Sequence, residues 1–307
     1  MPESTDPLQR AQDWVARRTA PRGPVDVDAL VAAKAGRRVS AILPARDESA
    51  TVGLIVKQLV TGPLADGLLD EVLVVDSHST DDTAEVAASA GATVVACDGD
   101  PADGKGAALL TGVRHLRGDL GIFLDADVTD FDPLVAARLV GPLLLDPDLV
   151  FVKGFYDRPW SAGGGPSTGG RVTELVARPL LLERVPELAG FAQPLAGEAA
   201  FRRDALAAVD VVSGYGVDVG HLLALHAAHG LDALAQADLG ERRHRHQDLP
   251  ALGRMSRQVA AAFDLVLDGR DTITSEHAVP VRRADGLALE RTTVVTRRLG
   301  RPGSAQA

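Results

Sequence analysis

Between residues 39 and 128, short and continuously apolar runs alternate with segments of helical spacing, and this alternation constrains the fold more than any other feature. The apolar runs are VSAILPA (39–45), EVLVVD (71–76), ATVVAC (92–97) and GIFLDADV (121–128). Between them lie SATVGLIVKQLV (49–60), with Ser49 placed to cap it, STDDTAEVAASAG (79–91), closed by Gly91, and the Gly-led GKGAALLTGVRHL (104–116). Ser, Thr and Asp start helices by accepting hydrogen bonds from free backbone N–H groups, and Gly ends them. A strand that is apolar along its whole length is buried on both faces. The order β-α-β-α-β-α-β therefore predicts an α/β fold, with a mostly parallel sheet flanked by helices. Ligands of such sheets bind beyond the carboxyl ends of the strands. Leu43-Pro44-Ala45, Asp76-Ser77 and Asp125-Ala126-Asp127 all fall at such ends.

After residue 130 the alternation fades. LVFVKGFY (149–156) reads as a strand and SAGGGPSTGG (161–170) as a flexible loop. GRVTELVARPLLLERV (170–185) reads as a helix interrupted near Pro179. AFRRDALAAV (200–209), DVGHLLALHAAHG (218–230) and LGRMSRQVAAAFDLVL (252–267) read as helices, and LDALAQADLGERRHRH (231–246) as a strand running into a basic segment. Residues 1–37 read as a polar leader with a helical turn at 13–18, and the tail from Gly300 as disordered.

The formal net charge is -10, which disfavours non-specific nucleic-acid binding. A chain so acidic must concentrate positive charge locally to hold phosphorylated ligands. One cysteine, Cys97, excludes an intramolecular disulfide and suits a reducing cytosol. No run reaches the roughly 18 apolar residues of a membrane helix. The nearest, residues 139–152, is broken by Pro142, Asp146, Pro147 and Asp148. The N-terminus lacks an apolar signal core. These features predict a cytoplasmic protein with no membrane anchor and no nucleic-acid partner.

Asp125 and Asp127 sit at i and i+2, which in an extended chain places both carboxylates on one side. Like charges held together in apolar surroundings are relieved by a divalent cation. The alternative is an ordinary surface turn. The segment ERRHRHQD (241–248) concentrates positive charge, with Arg242, His244 and His246 on one face. An imidazole from it reaching the aspartates would complete a mixed oxygen and nitrogen site; otherwise it is a solvated charge run. Lys105 opens a helix between two glycines, a setting that favours anions or forms a plain turn. Gly170-Arg171-Val172-Thr173 offers an Arg and a Thr at a helix start for a phosphate or carboxylate. Asp218 is an acid just before a helix or simply its cap. His221, His226 and His229 read as packing or surface residues. Neither G-x-G-x-x-G nor a P-loop is present, which argues against a nicotinamide dehydrogenase.

Taken together, LPARDES, VVDSHSTDDT, GKGAALLTG, FLDADV, GGRVTELVARPLL, QPLAGE, GYGVDVG and LGERRHRH resemble the actinobacterial glucosyl-3-phosphoglycerate synthase family over residues 39–267. These are retaining glycosyltransferases of the GT-A type. The resemblance implies transfer of glucose from UDP-glucose to the 2-hydroxyl of D-3-phosphoglycerate, with Mg2+ or Mn2+ as cofactor, by a homodimer. It implies donor contacts at Pro44, Ala45, Arg46, Asp47, Glu48, Ser77, Lys105 and Asp125, and a metal held by Asp127 and His244. It implies acceptor contacts at Gly170, Arg171, Val172, Thr173, Arg158 and His246, with Asp218, Asp127 and Lys105 at the reacting centre. The implied organisation is an N-terminal extension (1–37), a nucleotide-sugar-binding subdomain (38–130), an acceptor-binding and metal-completing subdomain (131–270) and a C-terminal extension with a disordered tail (271–307). The family pattern has Leu-Asn/Asp-Glu-Glu where Arg46-Asp47-Glu48-Ser49 stands, Glu at Asp218 and Asn at His246. A sister activity uses GDP-mannose, related enzymes use a polyprenyl phosphate acceptor, and a non-catalytic sugar-nucleotide sensor is the reading outside enzymes.

Overall fold

A computed structural model describes residues 6–157, 170–241, 249–283 and 286–303. Its strands are β1 (Thr19–Ala20), β2 (Val39–Ala45), β3 (Glu71–Asp76), β4 (Thr93–Ala96), β5 (Leu120–Phe123), β6 (Phe151–Asp157), β7 (Ala199–Arg202), β8 (Leu234–Glu241), β9 (Thr272–Arg283) and β10 (Gly286–Arg297). Its helices are α1 (Pro7–Arg18), α2 (Val27–Ala33), α3 (Val52–Leu59), α4 (Thr83–Ser89), α5 (Gly104–His115), α6 (Leu134–Leu145), α7 (Arg178–Arg184), α8 (Arg203–Ala207), α9 (Val217–His229) and α10 (Leu249–Leu267).

The first eight strands form one sheet in the order β1-β8-β6-β7-β5-β2-β3-β4. All pairs are parallel except those of β7, which runs antiparallel to both β5 and β6. The expected mostly parallel α/β sheet is therefore present. Strand β2 shows why its sequence is apolar except at Ser40, whose buried hydroxyl donates to Glu71 Oε2 at 2.7 Å. Val39, Ala41, Leu43 and Ala45 enter one core with α3 and α6, while Ile42 enters the other with α5 and α9. Burial on both faces leaves no polar side to the strand.

Several elements differ from the sequence expectation. AFRRDALAAV begins as strand β7, because Ala199 to Arg202 pairs with neighbours on both sides. Tertiary pairing overrides the helix propensity of such a run. Helix α3 starts at Val52, later than Ser49, whose N–H instead donates to Asp81 Oδ2 at 3.1 Å. Pro179 sits in the first turn of α7, where its missing N–H costs nothing, and a π turn (Thr173–Ala177) precedes it.

The polar leader is built into the core. Helix α1 begins at Pro7, capped by Asp6, and buries Trp14 completely. The indole N–H donates to Leu231 O at 3.1 Å and Leu234 O at 2.9 Å, and the ring packs 4.4 Å from Phe191. At the other end, β9 and β10 form a separate two-stranded antiparallel ribbon packed on α10. Such a ribbon is marginal without a supporting layer. Gly300 is ordered against the body, accepting from Val211 N at 3.0 Å. Among the described residues no helix is long and apolar enough to cross a membrane.

Candidate active site

The loops leaving β2 and β3 are stitched together at the carboxyl edge of the sheet. Ser77 N donates to Ala45 O at 2.8 Å. Asp47, at φ 55°, accepts from Thr80 N at 2.7 Å and from the Thr80 hydroxyl at 3.1 Å, while its own N–H donates to Ser79 Oγ at 3.0 Å. Glu48 N donates to Thr83 Oγ1 at 2.8 Å. The Thr83 hydroxyl and Ser49 bind the Asp81 carboxylate and lower its pKa to about 2. Pro44 is half-buried, Ala45 and Ser77 are buried, and Arg46 and Asp47 are exposed. The expected donor residues thus line one rim.

Strand β5 stops at Phe123, so Asp125 and Asp127 lie in the loop beyond it rather than on an extended strand. Leu124 N still donates to Ile42 O at 3.0 Å, and Thr51 Oγ1 donates to Ala126 O at 2.7 Å. These bonds pin the loop between the two acids, which strand alternation therefore does not orient. Lys105 Nζ lies 3.2 Å from Asp125 Oδ1 and 3.2 Å from Asp218 Oδ2. Burial disfavours the ammonium, but the carboxylates of Asp125 and Asp218 outweigh it and hold the Lys105 pKa above its ordinary value. Burial raises the Asp218 pKa, and Lys105 opposes that.

Beneath this cluster lie His221 and residues to which the sequence reading gave no role. Lys153 of β6 is 2% exposed and donates to the Asp218 carbonyl at 2.9 Å, fixing the first turn of α9. Desolvation lowers its pKa to about 8. Glu198 is fully buried, and its carbonyl accepts from Gly154 N at 2.9 Å. His221 is a packing residue stacked 5.8 Å from Phe123, with burial lowering its pKa to about 3. A Cβ at Gly197 would lie 2.2 Å from Asp125 Oδ1 and 2.5 Å from Lys105 Nζ. Any side chain there would displace the ion pair. The lysine inside the apolar run LVFVKGFY, and the stretch QPLAGE that holds Gly197 and Glu198, are the legible signals for this layer.

Gly170, Arg171, Val172 and Thr173 lead into the π turn, with Val172 and Thr173 buried and Arg171 exposed. Such turns recur at functional sites. Helix α10 packs against both the π turn and the Gly214–Gly216 turn. Its Gln258 Oε1 accepts from Tyr215 N at 3.0 Å, next to Asp218. The structure thus joins Lys105, Asp125 and Asp218 by direct contact and relates the 170–173 segment to them through α10. Arg158, His244 and His246 lie outside the described residues. Among the described residues no group of three or more His, Cys, Asp or Glu side chains is arranged to hold a metal ion. A carboxylate at Asp127 with an imidazole would offer the oxygen and nitrogen donors that Mg2+ or Mn2+ accepts, the remaining positions being left for ligand oxygens.

Three comparisons bear on the family and the fold. The family model described as "Glycosyl transferase family 2" matches residues 40–206. Glucosyl-3-phosphoglycerate synthase of Mycolicibacterium paratuberculosis is 46% identical over 260 residues, covering 81% of this chain and 78% of that protein. The crystal structure of mannosyl-3-phosphoglycerate synthase from Rubrobacter xylanophilus superposes with a TM-score of 0.82 at 38% identity, covering 93% and 97% of the two chains. That of glucosyl-3-phosphoglycerate synthase from Mycobacterium tuberculosis, in complex with Mn2+, UDP-glucose and phosphoglyceric acid, gives 0.77 at 40% identity, covering 91% and 96%.

Proposed function

The chain belongs to glycosyl transferase family 2, and we propose that within it the protein transfers glucose from UDP-glucose to the 2-hydroxyl of D-3-phosphoglycerate, with retention and with a divalent metal. The carrying observation is the Lys105 ammonium held between Asp125 and Asp218 in the crevice beyond the sheet. The tuberculosis relative, which binds Mn2+, UDP-glucose and phosphoglyceric acid, supports the substrates and the metal.

In this reading Pro44, Ala45, Arg46, Asp47, Glu48 and Ser77 hold the nucleoside, and residues 38–130 form the donor half. Lys105, kept protonated by its carboxylate neighbours, sets fixed positive charge where the diphosphate departs. Asp125 orients Lys105 and meets the donor. Asp127 with His244 holds Mg2+ or Mn2+, which when bound stabilises a leaving diphosphate as a Lewis acid. Gly170, Arg171, Val172 and Thr173, with Arg158 and His246, grip the phosphate and carboxylate of the acceptor in the 131–270 half. Asp218 faces the sugar. Because Lys105 holds Asp218 Oδ2 at 3.2 Å, that carboxylate is a blunted nucleophile, and front-face attack assisted by the leaving phosphate accounts for retention. Both substrates are phosphorylated metabolites, which supports a cytoplasmic location. Exposed Leu287, Leu289 and Val295 on the outer face of the ribbon support a homodimer.

The test offers UDP-glucose, GDP-glucose and GDP-mannose, each with 3-phosphoglycerate and Mg2+. UDP-glucose is expected to give a phosphatase-sensitive glucosylglycerate. A clear preference for GDP-mannose would move the reading towards mannosyl transfer, the activity named for the Rubrobacter relative. No glycosylglycerate from any donor would refute the acceptor.

A further inference from the structure

The ribbon ends against the site. Arg297, the last residue of β10, grips Asp103 with both arms of its guanidinium, Nε to Oδ1 at 2.8 Å and Nη2 to Oδ2 at 2.6 Å. Asp103 is 6% exposed and immediately precedes α5, two residues before Lys105. The backbone of Arg297 holds a second segment. Its N–H donates to Ser213 Oγ at 2.9 Å, and Ser213 N donates to its carbonyl at 2.9 Å. Ser213 leads into the Gly214–Gly216 turn that presents Asp218. Beyond it, Leu299 N donates to Val211 O at 2.8 Å, continuing the seam.

One residue therefore touches both segments that carry the charged partners Lys105 and Asp218. The two segments also meet directly. A Cβ at Gly106 would lie 2.1 Å from Val212 O and 2.8 Å from Ser213 Cα, so backbone rests on backbone there. The gap has no slack, and small shifts pass straight to the ion pair. A bidentate guanidinium–carboxylate fork fixes orientation as well as distance, which a lysine cannot do. The Arg297 side chain is 44% exposed but Asp103 is buried, so removing the guanidinium leaves a buried carboxylate uncompensated and costs stability as well as geometry.

We propose that Arg297 is a positioning residue for the transfer reaction, a strut that sets the start of α5 against the turn before α9 and so keeps Lys105 within reach of Asp218. The activity readout rests on the glycosyltransferase reading, so a second readout is independent of it. Full-length Arg297→Ala, Arg297→Lys, Asp103→Asn and the Arg297→Ala/Asp103→Asn double variant are compared with wild type. Arg297→Ala is expected to lower kcat by about ten- to a hundredfold, as a misplacement near 1 Å does. UDP affinity should fall less than kcat, because the loop contacts along β2 and β3 are untouched and Lys105 alone among the donor contacts is displaced. Arg297→Lys should recover little. The double variant should lose no more than the worse single, the signature of one shared contact. Millimolar guanidinium should restore part of kcat in Arg297→Ala but none in the double variant. Wild-type kcat in Arg297→Ala, or losses that multiply in the double, would overturn the proposal. If Arg297→Ala fails to fold, Arg297→Lys and Asp103→Asn carry the same comparison. Should wild type transfer no sugar at all, the functional reading fails by itself and amide hydrogen exchange decides. Faster exchange at both 104–107 and 213–218 in Arg297→Ala supports the strut, and a change at only one segment or neither refutes it.

Discussion

Gly197→Ala separates folding from chemistry with one methyl group. The backbone of Gly197 is not in the left-handed region, so alanine meets no conformational penalty there. The obstacle is the site, where the new Cβ falls 2.2 Å from Asp125 Oδ1 and 2.5 Å from Lys105 Nζ. Restoring ordinary 3.4 Å contacts requires the carboxylate oxygen to retreat by about 1.2 Å and the ammonium by about 0.9 Å. Both atoms end flexible side chains, so the fold should absorb the change for about 1–3 kcal/mol. Catalysis should not. A displacement near 1 Å costs about a hundredfold in rate, or about 2.7 kcal/mol of transition-state stabilisation. The assay is UDP release at saturating donor and acceptor, beside a thermal melt. The expected result is kcat reduced by about a hundredfold with Tm lower by only a few degrees. A kcat within threefold of wild type would show that the position of the pair is not catalytic. An unfolded variant would show that this corner is core packing rather than site.

Three further outcomes follow from particular contacts. Lys153 has a folded pKa of about 8, below its ordinary 10.5, so between those values the unfolded chain binds more protons and the Lys153 contribution to stability rises with pH. The stability of wild type minus that of Lys153→Met, from urea midpoints at pH 7.5, 8.5 and 9.5, should climb across that series; a flat difference refutes the buried, depressed ammonium. Trp14→Phe removes the indole bonds to Leu231 and Leu234 and should cost about 1–3 kcal/mol by denaturation, whereas a silent substitution would return α1 to the status of a leader. Asp127→Asn should abolish the Mn2+ dependence of UDP binding measured by calorimetry, and an unchanged metal response would remove Asp127 from the metal site.

Strands β2 and β3 are legible to the residue, because full burial on both faces writes itself as a nearly unbroken apolar run closed by Pro44 or Asp76. Strand β7 is not legible, since Ala199 to Arg202 becomes a strand only through β5 and β6 on either side. Trp14 reads as part of a polar leader because the carbonyls it binds lie more than two hundred residues away. The site shows the same division. Lys105, Asp125 and Asp218 can each be picked out from local context and family resemblance. That one ammonium bridges both acids is a fact of distant segments. Lys153 offered a hint as a charge within an apolar strand. Gly197 shows only as part of QPLAGE and Arg297 not at all, because what matters at each is what stands beside it in space.

The seam between Arg297 and Ser213 has a consequence for biosynthesis. Chains fold from the amino end as they leave the ribosome, and the loops after β2 and β3 need nothing later than Asp81 and Thr83 to form their mutual bonds. Asp103 and Ser213, by contrast, wait for a residue near the very end of the chain. A chain that stops short of Arg297 would form the loops after β2 and β3 without the contacts that join Asp103 to Ser213. Loss of the segment that carries Arg297 would remove the contacts to Asp103 and Ser213 while leaving the bonds between the two loops in place.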